Sequence, residues 1–469
     1  MQHPLIFNDF FRNSASRGFT PRQFRDSSLP MKLLGRYLAR LRECCATMLD
    51  PRSGKNCQYS MIDAGMAAFS VFFTKSPSFL AHQKLLAERR GLSNCLTLFG
   101  MKKIPSDNQI RNLLNPVPPE HFDPVFIDIA RDLNNRGALA ALRSRRSGLN
   151  HKTLIALDGT EYFNSYKISC PNCSSRTHNK GTDDEMVENY HMVLGAAIVG
   201  PGQVAAVPLP VEIIRPQDGA KKQDCERNAI KRWLRRIGPR LKDLEPVYLG
   251  DDLYACQPVC EAIRAAGGNF ILTAMRSSHK TLYEELDRCH PETLERRVTR
   301  GIRKPKKYRY SYSWQPELRI RGGEAAMPVT WVCLEIHDMA EKKVTYRTAF
   351  VTDLPVSRTN VADIVACGRS RWRVENAEFN VLEKLGYNLD RNFGHGEKNL
   401  ASVLLVLNLL AFAMHTACDL AEKHWQKART VCGTRDWMFR NLQVLTARFV
   451  FDDWKRLMQV LAGEVEIPP

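Results

Sequence analysis

Between His151 and Met275 the chain alternates two kinds of apolar run, and no other feature limits its possible folds as much. HKTLIALDG, YHMVLGAAIVGPG and VAAVPLPVEIIRP are short apolar stretches bounded by glycine, proline or polar residues, with a PG turn between the second and third. DCERNAIKRWLRRIGPRLK then has helical spacing, EPVYLGDD reads as a buried strand, ACQPVCEAIRAAGG as a helix ending at glycines, and NFILTAM as a strand. Three strands followed by helix, strand, helix, strand bury their apolar faces around a mixed sheet, so the expected class is α/β. A β-rich stretch over 281–359 follows (RRVTRGIRKPKKYRYSYSW, MPVTWVCLEIHD, VTYRTAFVTDLP) and reads as an insertion, because helix resumes in NVADIVACGRSRWRVENAEFNVLEKLGY.

Residues 1–150 carry apolar residues at three- and four-residue spacing in MKLLGRYLARLRECCATML, SMIDAGMAAFSVFFT and FLAHQKLLAERRGL, which predicts helices. Ser106 and Gln109 have the spacing of a capping box, and RSRRSG (143–148) reads as a linker. At 469 residues the chain exceeds the roughly 250–300 that one core supports, so at least two domains are expected. Hydrophobic residues at 44% and charged residues at 25% exclude wholesale disorder and a multi-span membrane protein. LASVLLVLNLLAFAMHTAC (400–418) barely reaches spanning length and reads as a buried core helix, and no membrane partner is expected. The 14 cysteines are scattered and no secretory signal opens the sequence, which points to a reducing, cytoplasmic setting. A net charge of +18 (68 basic minus 50 acidic) draws polyanions, and nucleic acid leads among them.

Three acids stand where rigid elements would present them. Asp158 follows TLIAL, Asp251 follows PVYLG, and Glu375 lies on the helix with RSRWRVEN. Carboxylates at the carboxyl ends of sheet strands are placed to share a hard cation such as Mg²⁺. Each has a plainer reading too: an aspartate there also serves as a turn or helix cap, and Glu375 has the i,i+4 spacing of an ion pair with Arg371.

Taken together, RSRWRVENAEFNVLEK, LDGTEYF and YLGDDLYACQPVC resemble the DDE transposases of bacterial insertion sequences, in the group with a Tyr, Arg, Glu, Lys signature around the last acid. The resemblance implies a ribonuclease H-like core with a β domain inserted before the final glutamate, and the 124 positions between Asp251 and Glu375 (375 − 251) leave room for one. It implies Asp158, Asp251 and Glu375 as catalytic acids and ligands of Mg²⁺ or Mn²⁺, with Arg371, Arg369 and Lys384 contacting DNA. It implies an endonuclease that cuts element ends and joins the 3′-hydroxyl to target DNA by two-metal phosphoryl transfer, paired as a homodimer and working at the bacterial nucleoid. A non-catalytic or zinc-stabilised DNA-binding descendant is the alternative. The signature tyrosine falls on Gly368, the lysine position on Leu382 with Lys384 nearest, and Asp252 adjoins Asp251 as a second choice for that acid. The domains expected are a helical DNA-binding domain (1–150), the catalytic core (151–280 and 360–420), the β insertion (281–359) and a C-terminal helical segment (421–469).

Two further patterns lie outside that triad. Cys170, Cys173, His178 and His191 offer the sulfur and imidazole donors of a tetrahedral Zn²⁺ site, although two reduced cysteines need bind nothing and His191 also fits the start of a strand. Residues 215–242 hold ten Lys/Arg, and 296–310 hold eight, followed by Tyr308, Tyr310, Tyr312 and Trp314 at alternate positions. Such a strand either stacks bases and holds phosphates or is an edge protected by charge.

Overall fold

The computed structural model describes residues 32–467, apart from 51, 54–56, 80, 83–92, 144–148, 150, 204, 218–221, 224–225, 301–304, 374–379, 385 and 390–391. The chain opens on helices α1 (Lys32–Ala46), α2 (Met61–Phe73), α3 (Asn94–Phe99), α4 (Asp107–Leu114) and α5 (Asp123–Asn135). Ser106 caps α4 as its spacing predicts, accepting from Gln109 N–H. Helix α2 is buried along nearly its whole length, the mark of a core helix rather than a surface one.

Strands β1 (Thr153–Ser165), β2 (Ser174–His178) and β3 (Met186–Val199) follow, with short β4 (Val207–Pro208) and β5 (Glu212–Ile214) pairing on β3, and a small hairpin of β6 (Pro216–Gln217) and β7 (Lys222–Gln223). Helix α6 (Glu226–Ile237), β8 (Pro246–Gly250), α7 (Gln257–Ala265), β9 (Asn269–Thr273) and α8 (Lys280–Leu286) alternate next. Then come β10 (Glu292–Arg300), β11 (Lys306–Arg319), β12 (Pro328–Asp338) and β13 (Lys343–Thr352). The sheet order is β10-β11-β12-β13-β9-β8-β1-β3-β2. β1, β8 and β9 are parallel and the other neighbours antiparallel, so the class is mixed α/β, in keeping with the ribonuclease H-like arrangement the resemblance implies. TLIAL and PVYLG are buried at every position because helices cover both faces of central parallel strands. Trp233 on α6 closes one face against Tyr248 of β8, and its indole N–H donates to the Pro210 carbonyl at 2.6 Å.

The β-rich stretch is not a sheet of its own. Its four strands continue the central sheet, because Phe350–Thr352 of β13 pair antiparallel with Ile271–Thr273 of β9.

The chain ends in α9 (Val361–Gly368), a 3₁₀ turn (Arg369–Trp372), α10 (Asn380–Lys384), α11 (Leu400–Ala421), α12 (Lys423–Cys432), α13 (Arg435–Arg448) and α14 (Trp454–Leu461). By length and composition α11 passes for a membrane span, yet it is buried in protein along nearly its whole length. The N-terminal helices do not form a detached module. They pack on α11 and the helices after it: Phe73 meets His415, Trp425 and Trp454, and the Asn94 amide donates to the carbonyls of Thr446 and Phe449.

Lys75 lies inside this joint helical layer, its ammonium 3.6 Å from Asp436 and over the rings of Tyr387 and Phe439. Burial pulls its pKa down to about 8 from 10.5, against the pull of Asp436. Folding therefore expels a proton between those values, and stability rises with pH across that window as the cost of the buried charge is relieved. Lys75→Met is expected to stabilise the fold at pH 7 by about 2 kcal/mol and to flatten the rise between pH 8 and 10, read from urea melts at both pH values. A destabilised Lys75→Met would show that the Asp436 and ring contacts outweigh desolvation.

Candidate active site

The parallel register of β1 and β8 decides which acids meet. Leu154 pairs with Val247, Ile155 with Tyr248 and Ala156 with Leu249, and Asp158 and Asp251 each lie two residues beyond that last pair. Neighbouring strands lie about 4.8 Å apart, so Asp158 and Asp251 spring from adjacent backbones. β1 does not end at Asp158 as its sequence implies: it runs on to Ser165, held by β3 opposite, where Asp158 pairs with Gly195.

Asp251 opens the loop after β8, where Leu253 N–H donates to its Oδ1 at 2.9 Å. Burial raises its pKa, as does neighbouring Asp252, while the Leu253 and Tyr254 N–H groups and Arg371 pull it down. The Tyr254 phenol, donating to Glu226 at 2.6 Å, is pushed far up by burial first and then by Glu226, Asp251 and Asp158. Tyr254 and Glu226 back the strand from the other face, since Gly159 and Asp158 are successive in β1 and point to opposite sides of the sheet. Gly159 is required there: a Cβ would come within 2.3 Å of the Glu226 carboxyl. Glu226 carries no sequence signal for this place, since only the tertiary fold brings α6 over β1.

Asp252 points elsewhere. Its carboxylate accepts from Met275 N–H at 2.6 Å and from the Ser278 hydroxyl, and lies 3.2 Å from His279 Nδ1. It ties the loop to the segment after β9.

Arg371 sits on the 3₁₀ turn that packs against β1 and β8, its Nη1 3.4 Å from Asp158 Oδ1. Arg369 stacks its guanidinium 4.8 Å above the Tyr346 ring of β13. Gly368 has a packing reason to lack the signature tyrosine: a Cβ there would meet Ile271 and Phe350 at 2.9 Å. Glu375 and the side chain of Lys384 lie outside the described residues, and Leu382 is buried.

A second cluster gathers Cys170, Cys173, His191 and His395 with one ligand atom each within 4.8 Å of the others. His178 does not join it. β2 carries His178 five residues, about 16 Å, beyond Cys173, where its Nε2 lies 2.7 Å from Glu188. His395 takes the place instead, from the segment before α11. Its signal is local, a histidine between Gly394 and Gly396 at φ of 154° and 68°, but its partners are more than 200 residues away. Burial raises the Cys170 thiol, and the neighbouring His191 and His395 rings outweigh it and bring the thiol down to about 5.

The basic surfaces differ from a base-stacking platform. Tyr310, Tyr312 and Trp314 are buried, so these rings belong to the core, and Arg296 and Arg300 of β10 lie over the tyrosines instead. On α6, Arg232 and Arg236 are taken up by Glu212, at 2.8 Å each. Lys231, Arg235 and Asn228 remain along a groove between α6 and α7.

No curated protein matches the chain. Residues 214–412 match the family model of the transposase DDE domain. The match begins beyond Asp158 and takes in Asp251, Arg371 and Glu375, so over these residues the chain is similar to the DDE domain of transposases.

Proposed function

We propose that the chain is the transposase of a bacterial insertion sequence, cutting DNA at the element's ends and joining the released 3′-hydroxyl to target DNA. The observation that supports this reading is Arg371, whose Nη1 lies 3.4 Å from Asp158 Oδ1 and whose charge also acts on Asp251, each acid two residues beyond the last recorded pair of β1 and β8.

Both aspartates offer only hard oxygen donors in a half-buried setting, and this donor set fits Mg²⁺ or Mn²⁺. Asp158 and Asp251 would hold the ions, with Glu375 as the third carboxylate. When bound, two such ions activate an attacking oxygen and stabilise the leaving one in an in-line displacement at phosphorus. Arg371 supplies a fork of donors: paired with Asp158 in the resting protein, it is placed to take the non-bridging oxygens of an incoming phosphodiester. The Tyr254–Glu226 bond and the Asp252 contacts hold the Asp251 loop in one geometry, so the carboxylate is positioned before DNA arrives. No covalent protein intermediate is needed. Two ends must be brought together, and a homodimer supplies one such site per end.

The test is strand cleavage of DNA carrying the sequences that flank the coding region, with Mg²⁺, with Mn²⁺ and with EDTA, alongside Asp158→Asn. Cleavage leaving 3′-hydroxyl ends, dependent on the cation and lost in Asp158→Asn with DNA binding retained, is the expected result. Binding without cleavage by the native chain would instead favour a non-catalytic DNA-binding descendant.

A further inference from the structure

We propose that Cys170, Cys173, His191 and His395 hold one Zn²⁺ ion, which staples the segment leading into α11 to the edge of the central sheet. This is independent of strand transfer, since the cluster shares no residue with the carboxylate site.

The ligand atoms already stand at the corners of a zinc tetrahedron. With Zn–S near 2.3 Å and Zn–N near 2.0–2.1 Å, tetrahedral edges are about 3.8 Å between sulfurs, about 3.5 Å from sulfur to nitrogen and about 3.3 Å between nitrogens. The structure has 3.7 Å between the two Sγ atoms and 3.5 and 3.4 Å from them to His191 Nε2. Cys173 Sγ lies 3.4 Å from His395 Nε2, and the two Nε2 atoms are 3.1 Å apart. A disulfide is excluded by the same sulfur separation.

Each ring is turned so that Nε2 faces the centre. His395 Nδ1 lies 2.9 Å from the Gly396 carbonyl, which fixes the proton on Nδ1 and leaves Nε2 as a bare lone pair. His191 Nδ1 is buried with no hydrogen-bond partner among the described residues, and the polar contacts recorded for that ring run through Nε2 into the cluster. Two sulfurs and two imidazole nitrogens converging in a largely buried spot make a donor set that soft-to-borderline Zn²⁺ takes in tetrahedral geometry and Mg²⁺ does not.

The four residues come from three places: the Cys170–Cys173 turn after β1, His191 on β3, and His395 five residues before α11. The contacts around them run the same way. Asn172 donates to the Lys398 carbonyl at 2.7 Å, the Phe163 ring lies 4.4 Å from that of His395, and Tyr162 and Ser402 share a hydrogen bond of 3.1 Å. An ion here ties the stretch between Glu375 and α11 to β1, the strand that carries Asp158.

The experiment is metal analysis of the purified full chain, with cobalt exchange on the native protein. One zinc per chain is expected, with Co²⁺ replacement giving intense visible bands of tetrahedral cobalt and thiolate-to-cobalt charge transfer. Zinc content is expected to fall at least about tenfold in Cys173→Ser and His395→Ala and to stay at one per chain in His178→Ala. Native protein with no zinc, or with six-coordinate cobalt spectra, would overturn the proposal without reference to any variant's folding. Zinc loss in His178→Ala with retention in His395→Ala would overturn the ligand assignment.

Discussion

Asp251→Asn is expected to lower metal-dependent strand cleavage by at least about 10³-fold, because holding a catalytic cation at the reacting phosphate is worth several kcal/mol of transition-state stabilisation. Asparagine keeps the size of the side chain and an oxygen for the Leu253 N–H, so the loop is expected to survive and DNA binding to be unchanged. Asp252→Asn tests the neighbouring carboxylate. Its oxygen still accepts from Met275 N–H, and the loss is confined to positioning of the loop, so a fall of about tenfold or less is expected. Single-turnover cleavage rates with Mg²⁺ measure both. Asp252→Asn as the more damaged of the two would reassign the second acid and undo the register argument.

Phe73→Ala is expected to cost about 3–5 kcal/mol, the range for removing a fully buried phenylalanine. The ring is fully buried and touches Phe69, Phe99, His415, Trp425 and Trp454, so the cavity opens at the joint between the first helices and the last. Thermal melts with limited proteolysis distinguish the two arrangements of the helical part. If α1–α5 and α11–α14 form one layer, both ends become protease-sensitive together in the variant. Loss confined to the first 150 residues would mean an independent N-terminal domain after all.

The sequence made the central strands and crossover helices legible because each is a local pattern: TLIAL and PVYLG are too apolar and too short to be anything but buried strands, and the 3.6-residue period of α6 shows without its surroundings. Asp158 and Asp251 both follow such apolar runs, although β1 continues past Asp158 to Ser165, which the glycine after it hides in the sequence. What failed depends on contacts distant in sequence. His178 is nearer the cysteines along the chain, but strand geometry carries it away and brings in His395. The alternate tyrosines of β11 show their shared face in the sequence, yet period two does not say whether that face meets solvent or the core. Gly368 shows only as a departure from a signature until Ile271 and Phe350 appear against it.

The joint helical layer also sets a timetable for synthesis. The Asn94 amide waits for Thr446, 352 residues later (446 − 94), before its hydrogen bond can form. At about 5–20 residues per second a ribosome takes roughly 20–70 s to cover that distance. For that interval the apolar helix Met61–Phe73 has emerged without its cover, as a nascent chain halted before Leu400 should show by protease sensitivity within α2. Each new molecule therefore passes through a stage when chaperones and proteases compete for it, and cellular quality control acquires a say in how much of the protein accumulates.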